Sequence, residues 1–385
     1  MSFNQKYWRY SLFYFLYFSS LGALVPYWSV YLKSLSFSAL EIGQLIATLA
    51  ATKIFAPYIW GWVADKTGQH IRIVQITSVI ACAFFIPLIW SNSYWGMMLF
   101  MVLFSFFWNA ALPQFEVVTI ANLGNDKHRY SQIRLWGSIG FIVTVFLVAW
   151  LLKLTSVDVL PVAVFVVMLL IVLSSYSVHE EPKVSHDSGS IINVLNKPEV
   201  IALLLACFFM QLSHGPYYTF FTLFMKEQNY SITMISSFWS LGVLAEVILF
   251  LFMHRLFKHG DATFFLFLSL VLTAIRWLLL SMYSDVLVVV LLIQCLHAAS
   301  FGLFHASAIH LIDDYFPYHK GRGQAIYASV SFGAGGAFGS LYSGYLWEFY
   351  TPTVMFIVAG GVALLGAIVY RGLLGYADLT QQPSK

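Results

Sequence analysis

The chain has 385 residues, of which 60% are apolar and only 10% are charged, and its mean hydropathy is +0.79. Soluble proteins carry about 25% charged residues, so this composition excludes an ordinary soluble protein and predicts a membrane protein. A formal net charge of +3 from 20 basic and 17 acidic residues leaves too few cations for a nucleic-acid surface. The three cysteines lie inside apolar runs, which favours neither disulfides nor a thiolate metal site, and we expect no metal and no cofactor.

Twelve apolar runs follow one another along the chain, each close to the roughly 20 residues that a helix needs to cross a bilayer. They lie at 9–33, 39–63, 71–91, 95–122, 130–153, 158–178, 199–225, 232–254, 262–283, 286–311, 322–347 and 352–374. The first run is too long for a signal-peptide core and lacks a small-residue cleavage site, so we keep it as a helix. The pattern predicts an all-α membrane protein with twelve transmembrane helices.

A polar segment at 179–198 separates the sixth and seventh runs and divides the chain into halves at 1–178 and 199–385. The loops on the side of this linker collect nearly all Lys and Arg residues, whereas the loops on the other side carry only three. The positive-inside rule therefore places both termini and the linker in the cytoplasm, as expected in a bacterial-type inner membrane.

The two halves resemble each other weakly. Gly68 and Gly260 are 192 positions apart, and so are Gln132 and Gln324, which is half of the chain. Repeats of this kind, related by an axis along the membrane normal, are typical of secondary transporters. We therefore predict two pseudo-symmetric six-helix halves and take transport as the leading hypothesis, because a channel or a membrane enzyme does not need this symmetry.

The loop between the second and third runs reads Gly-Trp-Val-Ala-Asp-Lys-Thr-Gly-Gln-His-Ile-Arg over residues 61–72. Gly61 lets helices approach closely and Gly68 permits a tight reversal. Asp65 can accept hydrogen bonds from a neighbouring helix N-terminus and from Arg72, which would latch one conformation. The alternative interpretation is an ordinary turn with a helix-capping aspartate.

Ionisable residues inside the runs are functional candidates, because each costs about 2.5–3.5 kcal/mol on the insertion scale. Glu116 and Arg134 lie nine residues before and after Asn125 in a turn, so they reach similar depth and can pair. Asn109 lies on the same helix face as Glu116. In the alternative interpretation the pair only neutralises two buried charges. Lys53, inside the second run, can either snorkel or pair.

The second half carries a similar set. Glu246 and Arg276 lie fifteen residues on either side of Asp261, which again predicts similar depth. Polar stripes occur on the fourth, seventh, eighth and tenth runs, with Gln211, His214 and Tyr218 in the seventh and Gln294, His297, Phe301 and His305 in the tenth. A single helical histidine is more often a satisfied interior residue, yet the stripes together favour a shared cavity. The role of His305 stays open.

These residues resemble the phenylpropionate permease branch of the major facilitator superfamily, which is related to lactose permease-type proton symporters. The resemblance covers about residues 8–372 and includes the loop at 61–72. It also rests on Pro26-Tyr27-Trp28-Ser29-Val30-Tyr31-Leu32-Lys33, Pro113-x-x-Glu116, Arg134-Leu135-Trp136-Gly137-Ser138, His214-x-x-Tyr217-Tyr218, Trp239-Ser240-Leu241-Gly242-Val243-x-Ala245-Glu246, Arg276-Trp277 and Gln294-x-Leu296-His297. The resemblance implies the major facilitator fold.

In lactose permease-like symporters the corresponding acid and arginine bind the substrate, which implies this role for Glu116 and Arg134. The resemblance also implies a role in proton coupling for Arg276 and His297. Two positions depart from the pattern of those symporters. Ser300 stands where they carry the proton-bearing acid. Val243, about one turn before Glu246, stands where they carry the acid of their eighth helix. Glu246 is therefore the expected proton carrier.

The resulting hypothesis is a proton-coupled symporter that imports a small organic solute by alternating access. The resemblance favours an aromatic carboxylate such as 3-phenylpropionate, and Asn109, Trp108, His214, Tyr217 and Tyr218 complete the expected substrate site. Its partners would be the solute, protons and the lipid bilayer, with the chain acting as a monomer. A sugar or nucleoside symporter is the alternative function, and a drug exporter is the third candidate. No nucleophile–base constellation suggests a membrane enzyme.

Overall fold

The computed structural model describes residues 3–179 and 191–381, and within these ranges all regular structure is helical. The first range contains α1 (Phe3–Ser34), α2 (Ala39–Thr67), α3 (His70–Phe85), α4 (Tyr94–Leu123), α5 (Tyr130–Leu154) and α6 (Leu160–Ser175). The second contains α7 (Ile192–Leu195), α8 (Pro198–Glu227), α9 (Ile232–His259), α10 (Ala262–Met282), α11 (Leu287–Cys295), α12 (Phe304–Tyr315), α13 (Lys320–Ala328), α14 (Gly336–Phe349) and α15 (Pro352–Gln381). The predicted all-α class is confirmed.

Eleven helical segments of the described ranges are long and apolar enough to cross a membrane. They overlap eleven of the predicted runs. At the run predicted for 322–347, α13, a π-helical segment (Ser329–Gly335) and α14 follow one another directly, and glycines and serines make this stretch less apolar. The count of twelve transmembrane helices therefore stays a prediction.

Local chemistry sets both ends of α2. The Ser38 hydroxyl accepts a hydrogen bond from the Glu41 N–H (3.2 Å), and the Glu41 carboxylate accepts one from the Ser38 N–H (2.9 Å). This reciprocal capping box satisfies two donors that the first turn would leave unpaired. The helix ends at Gly68, whose φ of 66° is left-handed and whose N–H donates to the Ala64 carbonyl. The chain can thus reverse into α3 within three residues.

Contacts divide the chain into two compact units, the first formed by Met1–His186 with Thr219–Ser240 and the second by Asp187–Tyr218 with Leu241–Lys385. Helices α8 and α9 each contribute to both units. The predicted linker at 179–198 lies partly outside the described residues, which omit 180–190. The predicted halves at 1–178 and 199–385 stay a prediction.

In the first unit α1 packs against α5 and α6, α2 packs against α4, and α3 packs against α4 and α6. The α1–α5 contact is close because Gly140 lacks a side chain, and a Cβ there would overlap the Phe15 carbonyl. Polar side chains add to this contact: the hydroxyl of Ser19 donates to the Gly140 carbonyl (3.3 Å) and that of Tyr27 to the Val145 carbonyl (2.7 Å). Helix α5, which carries Arg134, is therefore held firmly against α1.

In the second unit α10 packs against α12 and α15. The core of this unit combines residues of α8, α10, α12 and α15, including Val200, Leu203, Leu266, Leu270, Phe304 and Tyr370. Helix α8 approaches α14 through paired glycines, since a Cβ on Gly339 would lie 2.8 Å from the Leu212 carbonyl oxygen and 2.9 Å from the Gly215 Cα. These contacts position α8 and α10, which carry several of the candidate residues.

Candidate functional site

The Glu116–Arg134 pair forms the polar centre of the first unit. Arg134 Nε lies 3.8 Å from Glu116 Oε1, and both side chains keep about a third of their surface exposed, 33% for Arg134 and 36% for Glu116. The Tyr130 hydroxyl donates to the same Glu116 oxygen at 3.3 Å. The long ion-pair distance and the exposure leave both charged groups able to bind a further molecule.

Aromatic rings surround the Arg134 guanidinium. Its central carbon lies 3.9 Å from the ring centroid of Phe18 and 5.7 Å from that of Tyr14, both on α1. The ring faces carry partial negative charge, so these contacts stabilise the cation and fix the plane of the guanidinium. Neither Phe18 nor Tyr14 was among the sequence-predicted site residues, because cation–π partners on another helix have no sequence signature.

Trp108 and Asn109 lie in the same unit, but they already have helix-packing contacts. Trp108 stacks on Tyr17 with ring centroids 5.4 Å apart, and it is 4% exposed. The Asn109 side-chain amide donates to the Leu49 carbonyl and to the Thr52 hydroxyl, each at 2.9 Å. Asn109 therefore joins α4 to α2, and its predicted role in substrate binding stays a prediction.

The loop after α2 holds the expected glycines and a pairing that the sequence analysis did not foresee. The Asp65 carboxylate lies 3.7 Å from Nε2 of His70, whereas Arg72 donates to the Gln69 side chain at 3.2 Å. His70 Nδ1 lies 2.9 Å from the Gln114 side-chain oxygen on α4. The His70 ring thus connects the Asp65 loop to α4.

Gly61 supports the same arrangement, since a Cβ there would lie 3.4 Å from the Gln114 side-chain nitrogen. Of the four predicted latch residues, Gly61 and Asp65 lie near the end of α2, Gly68 in the turn and Arg72 in the first turn of α3, and their role as a latch stays a prediction. His70 and Gln114 were missed because a histidine at a helix start and a glutamine in a long apolar helix have no distinctive spacing.

Arg276 on α10 is the centre of the second unit's polar cluster, and its side chain is fully buried at 0% exposure. The guanidinium donates to the Ile293 carbonyl (3.0 Å), the Ser300 hydroxyl (2.9 Å) and the Gln294 side-chain oxygen (3.4 Å). The Tyr217 hydroxyl also donates to that Gln294 oxygen, at 2.9 Å. Ser300 thus occupies the place of the absent acid and contacts Arg276 directly.

His297 lies between Arg276 and Glu246. Its Nδ1 is 3.2 Å from Arg276 Nη1, and its Nε2 is 3.8 Å from Glu246 Oε2. A guanidinium can only donate, so Nδ1 must act as the acceptor, and the proton of the neutral ring lies on Nε2, on the side of the carboxylate. This geometry makes His297 a polar bridge between the two charged residues.

His214, Tyr217 and Tyr218 on α8 line the same cluster. Tyr217 lies under the Arg276 guanidinium at 4.5 Å, and the His214 ring stacks on Tyr218 with centroids 5.7 Å apart. His214 Nδ1 is 2.8 Å from the Met210 carbonyl oxygen, which only accepts, so this nitrogen carries the ring proton. Its Nε2 is then a buried acceptor, and it has no hydrogen-bond partner among the described residues.

Two glycines let α9 approach the His297 region. A Cβ on Gly242 would lie 3.3 Å from the His297 ring, and one on Gly302 would lie 3.2 Å from both Glu246 Cγ and Leu249 Cδ2. Gly302 belongs to a π-helical segment, Ala298–Leu303, and such bulges often occur at functional sites. The wider turn also contains Ser300. Sequence reasoning missed Gly302 and the π-helical turn itself, because such a turn has no reliable sequence signal.

The candidate residues therefore fall into two groups. The first unit holds Glu116 and Arg134 together with the latch loop, and the second unit brings together Glu246, His297, Arg276, His214, Tyr217 and Tyr218. The sequence model of the MFS_1 like family matches residues 7–358. The chain belongs to the MFS_1 like family.

Two curated relatives align with this MFS_1 like protein over most of its length. It is 25% identical over 361 residues to the "Probable 3-phenylpropionic acid transporter" of Escherichia coli (strain K12), covering 91% of this chain and 93% of the relative. It is also 25% identical over 366 residues to the maltose permease of Geobacillus stearothermophilus, covering 93% of this chain and 92% of the permease.

Solved structures of similar fold include a single-substitution variant of the nucleoside transporter NupG. The TM-score is 0.82 at 17% identity, covering 96% of this chain and 99% of that chain. The POT family transporter PepTSo has a TM-score of 0.80 at 12% identity, and the match covers 99% of this chain and 100% of PepTSo. The protein is therefore a multi-pass membrane transporter of the major facilitator type.

Proposed function

We propose that this transporter is a proton-coupled symporter that imports a small aromatic carboxylate such as 3-phenylpropionate by alternating access. Membership of the family, together with the name of the Escherichia coli relative, supports the transport of a small organic molecule. The chain would act as a monomer in the inner membrane with both termini in the cytoplasm, which the distribution of Lys and Arg among the loops supports.

The observation that carries the proposal is the Glu246–His297–Arg276 arrangement. Glu246 is an acid inside a membrane-spanning helix, and such residues mark proton pathways. His297 accepts a hydrogen bond from Arg276 at Nδ1, so it cannot take a second proton there while the guanidinium stays in place. Glu246 is therefore the group of this cluster that can gain and lose a proton.

Movement of Arg276 would connect proton binding to the transport cycle. In the present arrangement the His297 ring separates the Glu246 carboxylate from the Arg276 guanidinium. A conformation that brings the guanidinium against the carboxylate would favour the ionised acid and release its proton, whereas separation would favour uptake. If solute binding favours one of the two conformations, solute and proton become linked ligands.

The Glu116–Arg134 pair would bind the solute. Its partly exposed charged groups offer both a donor and an acceptor, and the partly exposed Phe18 presents aromatic surface beside it. Planar rings pack well against such side chains in offset or edge-to-face contacts. An aromatic acid would match both features.

A sugar or nucleoside symporter is the second candidate function. The maltose permease relative supports it, and so do the buried Nε2 acceptor of His214 and the buried side-chain nitrogen of Gln294, which lack partners among the described residues. A solute rich in hydroxyl groups could satisfy both atoms.

Uptake into reconstituted vesicles would distinguish these functions. We would follow labelled 3-phenylpropionate, maltose and uridine, with an inward proton gradient, without one, and with a protonophore. Accumulation of 3-phenylpropionate that requires the gradient, together with proton entry triggered by that solute, is the expected result. Equal uptake with and without the gradient would contradict proton coupling, and accumulation of maltose or uridine alone would support the second function.

A further inference from the structure

We infer that Lys53 binds the carboxylate of the transported solute and thereby makes the protein selective for anions. The inference rests on the proposed transport of a carboxylate and names the residue that would recognise this group. Lys53 lies in the first unit, on α2, and is partly buried. The depth of Lys53, its direction, its lack of a counter-charge and the residues around it support this role.

Depth excludes snorkelling. Lys53 lies at the centre of α2, fourteen residues from Ala39 and fourteen from Thr67. At about 1.5 Å per residue each end of the helix is about 21 Å away, and the bilayer interface is about 15 Å from the centre of the hydrocarbon. A lysine side chain is too short to bring its ammonium to either interface. The charge must therefore be accommodated inside the protein.

The direction of Lys53 agrees with this conclusion. Phe55, Tyr58 and Trp62 form the outward face of α2, with exposures of 61%, 71% and 60%. At about 100° per residue these three lie about 140° to 200° around the helix from Lys53. Exposed aromatic residues on a membrane-spanning helix are typical of a surface that faces the bilayer and its interfaces. Lys53 therefore lies on the side of α2 opposite to this aromatic face.

The arginines of the two polar clusters are already neutralised or enclosed. Arg134 has Glu116 at 3.8 Å, and Arg276 is fully buried with acceptors around it. Lys53, by contrast, has neither an ion pair nor a hydrogen bond in the described part of the chain. Glu116 and Arg134 together carry no net charge, so Lys53 gives this set of three residues one positive charge without a counter-charge, which an anionic solute would neutralise.

Residues on the same side of α2 and on α4 fit a solute that carries a carboxylate. Trp60 lies seven residues, or about 10 Å, further along the same face of α2, and its buried indole Nε1–H has no acceptor among the described residues. The preceding residue, Thr52, hydrogen-bonds to Asn109 on α4, and Glu116 follows Asn109 by seven residues, or about 10 Å. A solute with a carboxylate at one end and a ring at the other could thus contact Lys53 and the Glu116–Arg134 pair.

The test compares two solutes that differ only in charge, 3-phenylpropionate and its amide, in binding and uptake by the purified, reconstituted full chain. Lys53→Gln should bind 3-phenylpropionate at least tenfold more weakly than the wild type and the amide equally well. Lys53→Arg should retain most of the preference for the anion. Lys153→Gln, the same change at an exposed lysine of α5, is the matched control and should leave both affinities unchanged. Gel filtration of each variant would check folding.

A second set of solutes, an aliphatic carboxylate, maltose and uridine, separates this inference from the proposed substrate. If Lys53→Gln keeps the wild-type preference for 3-phenylpropionate over its amide, the role of Lys53 is overturned, whereas the proposed substrate is still supported. If the wild type takes up only the aliphatic carboxylate and Lys53→Gln does not take it up, the role of Lys53 is supported and the proposed aromatic substrate is contradicted. Uptake of maltose or uridine without any carboxylate would overturn both.

Discussion

The two polar clusters of this transporter accommodate their charges in different ways. In the first unit Glu116 and Arg134 are 3.8 Å apart, each about one-third exposed, with aromatic rings beside the guanidinium. In the second unit Arg276 has no exposed surface, and its donors contact a backbone carbonyl, Ser300, Gln294 and His297. One cluster is an accessible ion pair and the other is an enclosed hydrogen-bond network.

This difference agrees with the roles proposed for the two clusters. An accessible ion pair can exchange part of its contacts for those of a solute without a large rearrangement. An enclosed network loses several charge-assisted hydrogen bonds if a single member leaves, so it favours a small number of discrete arrangements. The first type suits solute binding, and the second suits the linkage of protonation to conformation. Substitutions in the two clusters should therefore affect different steps of transport.

The largest effect is expected at the accessible pair. Arg134→Lys and Glu116→Gln should each abolish measurable uptake and weaken solute binding about 10- to 100-fold, or by about 1.5–3 kcal/mol. An ammonium cannot reproduce the planar, multiply donating guanidinium. The measurement is equilibrium binding together with uptake in vesicles. Arg255→Lys, at an exposed arginine near the ring of Phe252, is the control. Wild-type affinity in both Arg134→Lys and Glu116→Gln would exclude the pair as the solute site.

The next effect separates coupling from binding. Glu246→Gln imitates the protonated acid permanently, so the variant should bind solute and exchange it across the membrane by counterflow at near the wild-type rate. It should nevertheless fail to accumulate solute, because no proton is released on the inner side. Both assays use the same vesicles, with Glu348→Gln at an exposed carboxylate as the control. Normal accumulation by Glu246→Gln would transfer the proton-carrying role to another residue, with His297 or Glu116 as the candidates.

A smaller effect is expected where backbone packing restricts Glu246. In Gly302→Ala the new Cβ would lie 3.2 Å from Glu246 Cγ, tighter than an ordinary contact, and overpacking of this kind costs about 1–3 kcal/mol. Proton-driven accumulation should fall severalfold, while solute affinity at the first cluster stays unchanged. Gly361→Ala, where a Cβ has open space, is the matched control. Equal loss in the two variants would indicate a general effect on helix packing.

The smallest effect concerns the latch loop. Asp65→Asn removes the charge that faces His70 at 3.7 Å, and Asp65 is 60% exposed, so the contact is worth at most about 1 kcal/mol. We expect turnover to slow about two- to fivefold with equilibrium binding nearly intact. Stopped-flow or counterflow kinetics would measure this change, with Asp158→Asn at an exposed loop as the control. Loss of solute binding in Asp65→Asn would contradict a purely conformational role.

Some features of both clusters could be predicted from helix depth. Counting residues from a turn places Glu116 level with Arg134, and Glu246 level with Arg276, and the structure has the first two in contact. Depth does not specify rotation around the helix axis. For that reason the sequence did not indicate that His297 lies between Glu246 and Arg276.

By itself, the sequence determined the all-α membrane class and the positions of eleven apolar helices, because the length of an apolar run and the cost of charge in hydrocarbon are local properties. The tertiary structure alone decided which polar groups meet. Asn109 hydrogen-bonds to Thr52, and Asp65 faces His70 while Arg72 contacts Gln69. Such contacts depend on helix rotation, side-chain rotamers and the close approach allowed by residues such as Gly302, which no local pattern of residues encodes.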